Sequence, residues 1–431
     1  MVWGITDDSH KIVGTTFDPW TAVVRKQPLQ LYLNQNLSSH AEYKFHETNI
    51  DGHHVVLLIV AAAQELPVEF KGQGYGRVDS HKVEFTSKYK YLERQVWEAV
   101  RRTNFEDAIS LDRLSGTDVI NLLDLGPYSD SFAHAISSDP EEVLETLKTL
   151  GAIYDRDDGK FQITNLGALL FAKDLQNFPN IARKAVRVTV YPSTNRVDNA
   201  TQRQDGVMGY AVGFRGLVRW LNNLLPSEES IIDGVRTAKK VFPEAAVREV
   251  IANAIIHQDL SVQGAGPTIE VFEDRIEVTN PGSPIPSIER LIDTPPISRN
   301  ERIAALMRQM RFCEELGTGW DKIADATERN HLPSPKVQVV QNSTRVTVYG
   351  PRNLRLMEKE DQLRAVYMHA CLRYVNSDRL TNKSLRERFR VADRNASQMS
   401  RLISEAVDTG RIKLHDETAG KKSRSYVPFW A

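Results

Sequence analysis

The sequence predicts an α+β protein built from several domains. At 431 residues, the chain exceeds the roughly 250–300 residues at which a single hydrophobic core stops growing. Segments with the periodicity of strands and of helices alternate along it, and their character changes three times. The last stretch also differs in charge: residues 361–431 hold 14 Lys and Arg against 8 Asp and Glu, whereas the whole chain has a net charge of −1. We therefore expect four domains.

The composition narrows the class of protein. Hydrophobic residues make up 41% and charged residues 26% of the chain, as in soluble globular proteins. Cys313 and Cys371 stand far apart and outside any CxxC pattern, which argues against disulfides and zinc and for a reducing compartment. The longest aliphatic run, residues 55–63, is too short to cross a bilayer and predicts a buried strand. The N-terminus lacks the features of a signal peptide, so we expect a cytoplasmic protein with no membrane partner.

Residues 1–92 form the first predicted domain and are rich in strand patterns. Asp51-Gly52 separates "FHETNI" from "HHVVLLIV", which predicts a β-hairpin. The segment "VWGIT" already predicts a strand at residue 2. A domain that begins inside a sheet is either truncated or completed by another segment, and we expect one of the two here.

The next two predicted domains cover residues 93–178 and 179–352. The first predicts helices followed by a strand, a turn and a strand, with Gly151 ending a helix and Asp158-Gly159 turning a hairpin. It is interpreted as a small helix-hairpin module. The second mixes strands and helices in an order typical of an α/β sandwich, in which helices cover one face of a sheet.

A helix in the third domain carries an unusual polar row. In "EVIANAIIH", Glu249, Asn253 and His257 are spaced by four within apolar neighbours. At about 100° per residue they fall within an arc of roughly 80°, so they share one face of the helix. This row is either a solvated face or part of a site. His257 either approaches the site or only caps the helix, where a partly positive imidazole is favoured by the helix dipole.

Two glycine motifs follow this helix along the chain. Asn280-Pro-Gly282 comes after the strand "DRIEVT", and Gly317-Thr318-Gly319 leads into a helix. Each has a local explanation, the first as a turn and the second as a helix cap and restart. Glycines before a helix N-terminus are also suited to hold an anion, because backbone N–H groups can approach it closely.

Together and in this order, the three motifs resemble the GHKL-like ATP-binding domain shared by gyrase, the heat-shock chaperone, histidine kinases and MutL. The wider chain, with "FQITNLGALLFAKDLQNFP", "VREVIANAIIHQDLS", "ELGTGWDKI" and "SYVPFWA", resembles a bacterial family of transcriptional regulators. That family joins a Schlafen AlbA-type domain, a degenerate ATPase-like domain and a C-terminal winged helix. The resemblance implies ATP and Mg²⁺ as cofactors.

The resemblance also assigns roles to residues of this chain. It implies that Glu249 is the base that activates water and that Asn253 is the Mg²⁺ ligand. It further implies an adenine-side turn at Asn280 and Gly282 and a phosphate loop at Gly317, Thr318 and Gly319. His257 completes the cofactor-binding candidates.

Two departures from the ATPase pattern weaken the expectation of turnover. The acid at the adenine is replaced by Asn280, whose amide can pair with an amino group but carries no charge. One short Gly-x-Gly stands where active ATPases have a longer mobile lid. We therefore expect a domain that senses a nucleotide, or only assembles protomers, with weak or absent hydrolysis.

The N-terminal segment resembles the later part of the AlbA-type domain. The acidic residues linked to RNA cleavage in Schlafens lie largely before the strand at which this chain begins, so no nuclease site is assigned. Four residues suit phosphate contacts or a solvated sheet edge: Lys71, Arg77, His81 and Lys82.

Residues 353–431 predict a winged helix-turn-helix. "TNKSLRERFRV" and "ADRNASQMSRLISEAVDTG" are the two predicted helices, with Val391 and Ala392 in the turn. The predicted core consists of Leu385, Phe389, Met399, Leu402 and Ile403. The hairpin "RIKLHDETAGKKSRSYV" is the predicted wing.

Polar side chains that suit base edges collect at the start of the second helix. The candidate DNA-binding residues there are Arg394, Asn395, Ser397, Gln398 and Arg401. The tip of the wing adds Lys421, Lys422 and Arg424 as phosphate contacts. A winged helix used only for protein contacts is the alternative.

Two functions follow from these observations. The first is a transcriptional regulator that binds double-stranded DNA, with a degenerate ATPase-like domain. The second is a Mg²⁺-dependent ATPase coupled to nucleic-acid remodelling or RNA processing. We favour the first because the features that close over the phosphates are reduced. The sequence leaves the oligomeric state open, with a homodimer as one option.

Overall fold

The structure is a computed structural model of the chain, and it divides into two compact units, residues 1–105 and 106–431. Side chains are not described at 98–104 and 228–239. The residues that it describes are 2–6, 11–38, 41, 43–60, 67–78, 81–85, 87–131, 139–232, 235–295, 297–313, 319–420 and 423–431.

The first unit is built on a small antiparallel sheet with strand order β1-β5-β4, and two further strand pairs accompany it. Its strands are β1 (Val2–Trp3), β2 (Val23–Val24), β3 (Gln27–Pro28), β4 (Tyr43–Ile50), β5 (His53–Val60), β6 (Tyr75–Val78) and β7 (His81–Glu84). Its helices are α1 (Leu29–Asn36) and α2 (Lys90–Phe105). The second helix runs past residue 92, so the first unit is longer than the first predicted domain.

The hairpin predicted at Asp51-Gly52 is confirmed. Strands β4 and β5 pair up to Ile50 and His53, and both turn residues have positive φ, +52° and +81°. This is the backbone that a two-residue hairpin loop requires. The prediction of a buried strand beyond it is wrong in part: Val55 and Val56 are buried, whereas Ile59 is 55% exposed. Residues 61–63 of the predicted run lie outside the described residues.

The second unit begins with a three-stranded sheet of order β8-β10-β9 and its helices. Its elements are β8 (Ile109–Leu114), α3 (Gly116–Leu122), α4 (Gly126–Ser129), α5 (Pro140–Thr149), β9 (Ile153–Asp155), β10 (Phe161–Thr164) and α6 (Asn165–Phe171). Gly151 and Gly159 have φ of +65° and +73°, as the predicted helix end and hairpin turn require. Helix α6 is buried along its whole length, a feature that the sequence did not predict.

A six-stranded sheet follows, with order β12-β11-β15-β16-β18-β17 and one parallel pair, β11 with β15. Its strands are β11 (Arg187–Val190), β12 (Gln202–Asp205), β15 (Thr268–Val271), β16 (Arg275–Pro281), β17 (Lys336–Val340) and β18 (Ser343–Tyr349). The accompanying elements are α7 (Tyr210–Leu224), the hairpin β13 (Ser227–Ile232) and β14 (Val235–Lys240), α8 (Glu244–Ile256), α9 (Glu301–Gln309) and α10 (Gly319–Arg329).

Helices α7 and α8 pack on one face of this sheet, as the sequence predicts. Leu221 of α7 and Val250 of α8 meet Ile269 and Val278 of the sheet around one small gap. The strand residues between these apolar positions point to the opposite face because side chains alternate along a strand.

The opposite face carries ion pairs around one buried acid, Glu277. Its carboxylate bonds to Arg196 and to Nε of Arg275 at 2.6 Å, and Nε of Arg345 lies 3.5 Å away. Arg196 also pairs with Glu270 at 2.8 Å. Charged side chains therefore cover part of this face.

The chain ends in a C-terminal region, residues 359–431, of three helices and a hairpin. Its elements are α11 (Lys359–Val375), α12 (Asn382–Phe389), α13 (Ala396–Asp408), β19 (Ile412–Leu414) and β20 (Tyr426–Pro428). The core residues predicted for the helix pair lie in one apolar cluster. Arg390 ends α12 in the left-handed conformation, with φ of +51°, which lets the chain turn sharply towards α13.

The described part of the chain contains neither a membrane-spanning helix nor a disulfide. No helix there combines the length and the apolar character that a membrane span needs. Cys313 and Cys371 are both buried, and no disulfide joins them.

Candidate functional site

The polar row of α8 is shielded from solvent to different degrees: Glu249 is buried, whereas Asn253 and His257 are partly buried. Glu249 is 2% exposed, and the apolar residues on the other side of the helix are buried too. Helix α10 packs along α8 on the side of the row. Burying a carboxylate is costly unless polar groups surround it, so the row marks a site or a structural contact rather than a wet face.

The first residue of α10 explains how the two helices approach each other. A Cβ at Gly319 would lie 2.2 Å from Oε1 of Glu249 and 3.4 Å from Nδ2 of Asn253. The first distance is far below any real contact, so a side chain here would force the carboxylate of Glu249 to move. The carboxylate therefore lies against the N-terminus of α10, where the helix dipole favours a negative charge.

A cavity of about 180 Å³ opens between α8, α10 and the sheet. It brings together five of the residues that the sequence singled out: Glu249, Asn253, His257, Asn280 and Gly319. The described walls are otherwise mostly apolar, with Val250, Leu291, Ile323, Val337 and Val346 among them. Arg308 contributes a positive charge, and Thr344 and Ser283 contribute hydroxyl groups.

The turn after β16 shapes one end of this cavity. Asn280 is buried, and its Nδ2 donates to the carbonyl of Pro281 at 3.2 Å. Gly282 has φ of +95°, and a Cβ there would lie 2.1 Å from Nη1 of Arg299. The Gly282 carbonyl accepts from Oγ1 of Thr344 at 2.6 Å. Glycine is therefore required by both the backbone and the neighbouring guanidinium.

His257 is the C-terminal cap of α8, but it does not carry the expected positive charge. Its N–H donates to the carbonyl of Asn253 at 2.9 Å. Burial, together with the nearby Arg299 guanidinium, lowers the pKa of His257 to about 4 from its ordinary value of 6.5. The imidazole is neutral at physiological pH, and so the dipole argument for a partly positive ring is wrong.

Sequence reasoning missed the residues that close the end of α8. Arg299 donates to the carbonyls of His257 at 3.1 Å and Ser283 at 2.8 Å. Asn300 donates from Nδ2 to the carbonyls of Ile256 at 2.8 Å and Gln258 at 2.9 Å. The segment "SRN" could be recognised as the start of the helix that follows it, because Asn is common at helix starts. Nothing in these residues indicated that they bond to the end of α8, about forty residues earlier in the chain. Thr344 gave no sequence signal at all.

Four candidate residues lie outside the described residues: Gly317, Thr318, Lys421 and Lys422. Of the predicted phosphate loop, the structure therefore describes Gly319, and of the predicted wing tip it describes Arg424.

The remaining candidates of the C-terminal region lie in two places: at and just before the start of α13, and, for Arg424, in the segment between β19 and β20. Arg394, Ser397, Arg401 and Arg424 are exposed, and Asn395 and Gln398 are partly buried. From the sequence, Arg394 and Asn395 were predicted to lie in the second helix, and this prediction is wrong. Residues 393–395 form a 3-10 turn, and α13 begins at Ala396.

The basic residues of the first unit that were considered for phosphate contacts pack partly on aromatic rings. Nζ of Lys71 lies 5.5 Å from the centre of the Tyr32 ring, and Nζ of Lys82 lies 4.2 Å from that of Tyr75. Arg77 and His81 are exposed. This arrangement fits the reading of a solvated edge as well as that of a phosphate contact.

The fold and the cavity define a class: a multidomain α+β protein with a cavity beside its six-stranded sheet. Residues 264–348 match the family described as "Putative ATP-dependent DNA helicase recG C-terminal". Residues 1–86 match the family "Schlafen, AlbA_2". The chain therefore contains a Schlafen AlbA_2 domain and an ATPase-like domain.

Comparison with whole proteins adds little to these two matches. No curated protein matches the chain. Among solved structures, the crystal structure of the DIP2311 protein from Corynebacterium diphtheriae is similar at 18% identity, covering 99% of this chain and 82% of that one, with a TM-score of 0.47. That likeness is too distant to carry an argument.

The neutral His257 predicts a pH-dependent stability. With a folded-state pKa of about 4 and an ordinary value of 6.5, the unfolded chain takes up the proton first as the pH falls. The contribution of His257 to the free energy of unfolding is therefore complete above pH 6.5 and is lost towards pH 4. Relative to His257→Gln, the wild type should lose about 3 kcal/mol across this window, since one pKa unit corresponds to about 1.4 kcal/mol, measured by urea unfolding at several pH values. An imidazole that titrates near 6.5 by NMR would contradict the assignment.

Proposed function

We propose that the protein is a DNA-binding transcriptional regulator whose ATPase-like domain binds a nucleotide. The observation that carries the nucleotide part is the convergence of Glu249, Asn253, Asn280 and Gly319 on one cavity. The C-terminal region, in this proposal, is a winged helix that contacts duplex DNA.

The residues of the cavity suit the parts of a nucleotide with Mg²⁺. The amide oxygen of Asn253 is a ligand type that Mg²⁺ accepts, and this ion needs few protein ligands because it keeps waters and phosphate oxygens. Nδ2 of Asn280 is occupied by Pro281, which leaves its oxygen to accept from an amino group of a base. The apolar walls suit the faces of a base. When bound, Mg²⁺ and the phosphates would bring charge into the cavity, and this charge would distinguish the nucleotide-bound cavity from the empty one.

Nucleotide binding is tested by a thermal-shift titration with ATP and Mg²⁺. A ligand at about 100 times its Kd adds about 2.7 kcal/mol to the native state, which raises Tm by several degrees. Asn253→Ala should lose the Mg²⁺-dependent part of the shift. Asn330→Ala is the matched control, because its amide bonds within α10 to Ala326 and does not line the cavity. No shift in the wild type would remove the nucleotide from the function.

A second function, an ATPase that works on nucleic acid, is favoured by the burial of Glu249 in the same cavity. It requires Mg²⁺-dependent phosphate release that Glu249→Gln reduces by at least about a hundredfold, the usual size of a general-base contribution. The same substitution should leave ATP binding in place. Wild-type protein that releases no phosphate, with or without DNA, would end this alternative.

The DNA-binding part rests on the exposed basic side chains and the partly buried amide side chains at the start of α13. A helix start that presents arginine and glutamine side chains suits base edges, whereas a basic hairpin suits phosphates. Asn382 holds α13 on α12 by donating to the carbonyl of Ala396 at 3.0 Å and to Oγ of Ser400 at 2.9 Å. The proposed reading surface therefore sits on a fixed pair of helices.

Substitutions in this surface should separate base reading from phosphate contact. With a duplex selected from a random pool, Arg401→Ala and Gln398→Ala should relax preference at single base pairs, by about 1–3 kcal/mol each. Arg424→Ala should weaken all duplexes alike and lower the salt slope by about one. Fluorescence anisotropy at several salt concentrations measures both, with the exposed Arg329→Ala on α10 as the control. Unchanged affinity and preference in all three variants would remove the winged helix from the mechanism.

A further inference from the structure

Helix α10 is shared between the cavity and the C-terminal region. At its start, Gly319, Trp320 and Ile323 line the cavity. One residue further, Ala324 is 1% exposed and belongs to the apolar cluster of the C-terminal region, against which Trp320 also packs. A single helix of 11 residues therefore forms a wall of the site and part of the core next to it.

A second segment is shared in the same way. Leu291 lines the cavity, whereas the adjacent Ile292 lies in the C-terminal cluster. The hydroxyl of Tyr367 on α11 donates to the carbonyl of Glu289, and it accepts from Nε1 of Trp430 at 2.9 Å. The C-terminal region therefore holds both of these cavity walls.

The far end of α10 is fixed to the C-terminal region by buried polar contacts. Oε1 of Glu328 accepts from Nδ1 of His369 on α11 at 2.7 Å, and Nε2 of the same ring lies 3.0 Å from Oγ of Ser384 on α12. Nε of Arg388 on α12 lies 3.3 Å from Oε2 of Glu328, and Nη2 of Arg388 donates to the carbonyl of Leu332 at 2.5 Å. We call Glu328, His369, Ser384 and Arg388 the junction network.

The junction network reaches α12, the helix that holds α13 and with it the proposed reading surface. Ser384 and Arg388 lie on α12, and α12 holds α13 through Asn382. Because His369, Ser384 and Arg388 are all buried, leaving their partners unbonded would cost free energy. A shift of α10 is therefore opposed unless α12 moves with it.

The size of the cavity indicates that a nucleotide requires such a shift. Its 180 Å³ is below the about 300–1,000 Å³ of pockets that enclose drug-sized ligands. The carboxylate of Glu249 lies against Gly319, so α8 and the start of α10 are in contact at this end of the cavity. A nucleoside triphosphate therefore needs the described walls to move apart, and α10 is one of them.

We propose that α10 couples the ligand state of the cavity to the DNA affinity of the C-terminal region, with the junction network as the mechanical connection. This inference rests on the proposed function, since it needs both a nucleotide and a DNA ligand. Binding free energies are coupled reciprocally. ATP with Mg²⁺ changes the affinity for DNA by the same factor by which DNA changes the affinity for ATP.

The test measures this factor in the full chain. Anisotropy gives the Kd for the selected duplex with and without ATP and Mg²⁺, and calorimetry gives the Kd for ATP and Mg²⁺ with and without the duplex. In the wild type both ratios should agree and differ from one by at least about fivefold. Glu328→Gln and Ser384→Ala should each bring both ratios close to one, while the Kd for each ligand alone stays within about twofold of the wild type.

The control is Asp325→Asn. It removes a carboxylate from the same helix, but this one pairs with the exposed Arg329 and lies outside the junction network. It should keep the wild-type ratios, which separates the network from a general effect on α10. Circular dichroism confirms that each variant is folded. If Glu328→Gln does not fold, Ser384→Ala decides.

Three results would overturn the inference, and a fourth concerns the proposed function instead. Wild-type protein that binds both ligands with both ratios equal to one contradicts the coupling. Ratios that persist in the network variants contradict the route through the network, and ratios lost equally in Asp325→Asn contradict its specificity. Wild-type protein that binds no ATP or no duplex contradicts the proposed function, and the inference falls with it.

Discussion

The close approach of α8 and α10 at Gly319 is the constraint on which the rest of the second unit depends. Any side chain at this position would overlap the carboxylate of Glu249. Because there is none, α10 lies along α8, its start closes the cavity, and its end reaches α11 and α12. The carboxylate is stabilised by the positive end of the helix that it touches. The ATPase-like domain and the C-terminal region are thus built around the same short helix.

This arrangement explains why residues 106–431 form one compact unit although their composition changes at about residue 353. The charged stretch marks the place at which the C-terminal helices begin. It does not mark structural independence, because Ile292 and Ala324 complete the apolar cluster around α11. A local change in composition indicates which residues face solvent. Whether a region folds as a separate domain depends on contacts between segments that are distant along the chain.

Much of the local structure was predictable because its causes are local. The hairpin at Asp51-Gly52 follows from backbone conformations that the two residues adopt readily, and the core of α12 and α13 follows from helical periodicity. The site was predictable as a set of residues but not as an environment. The shielding of Glu249 from solvent depends on α10. The neutral charge of His257 depends on its burial and on the nearby Arg299. Neither cause lies within reach along the chain.

The face of the large sheet opposite α7 and α8 carries an asymmetric set of ion pairs. One acid, Glu277, faces three arginines: Arg196, Arg275 and Arg345. Replacing one arginine leaves the acid two partners, whereas replacing the acid leaves three neighbouring cations with only Glu270, beside Arg196, and Asp274, beside Arg275, to balance them. Single substitutions are therefore not interchangeable here: the sheet tolerates the exchange of a donor far better than the exchange of its common acceptor.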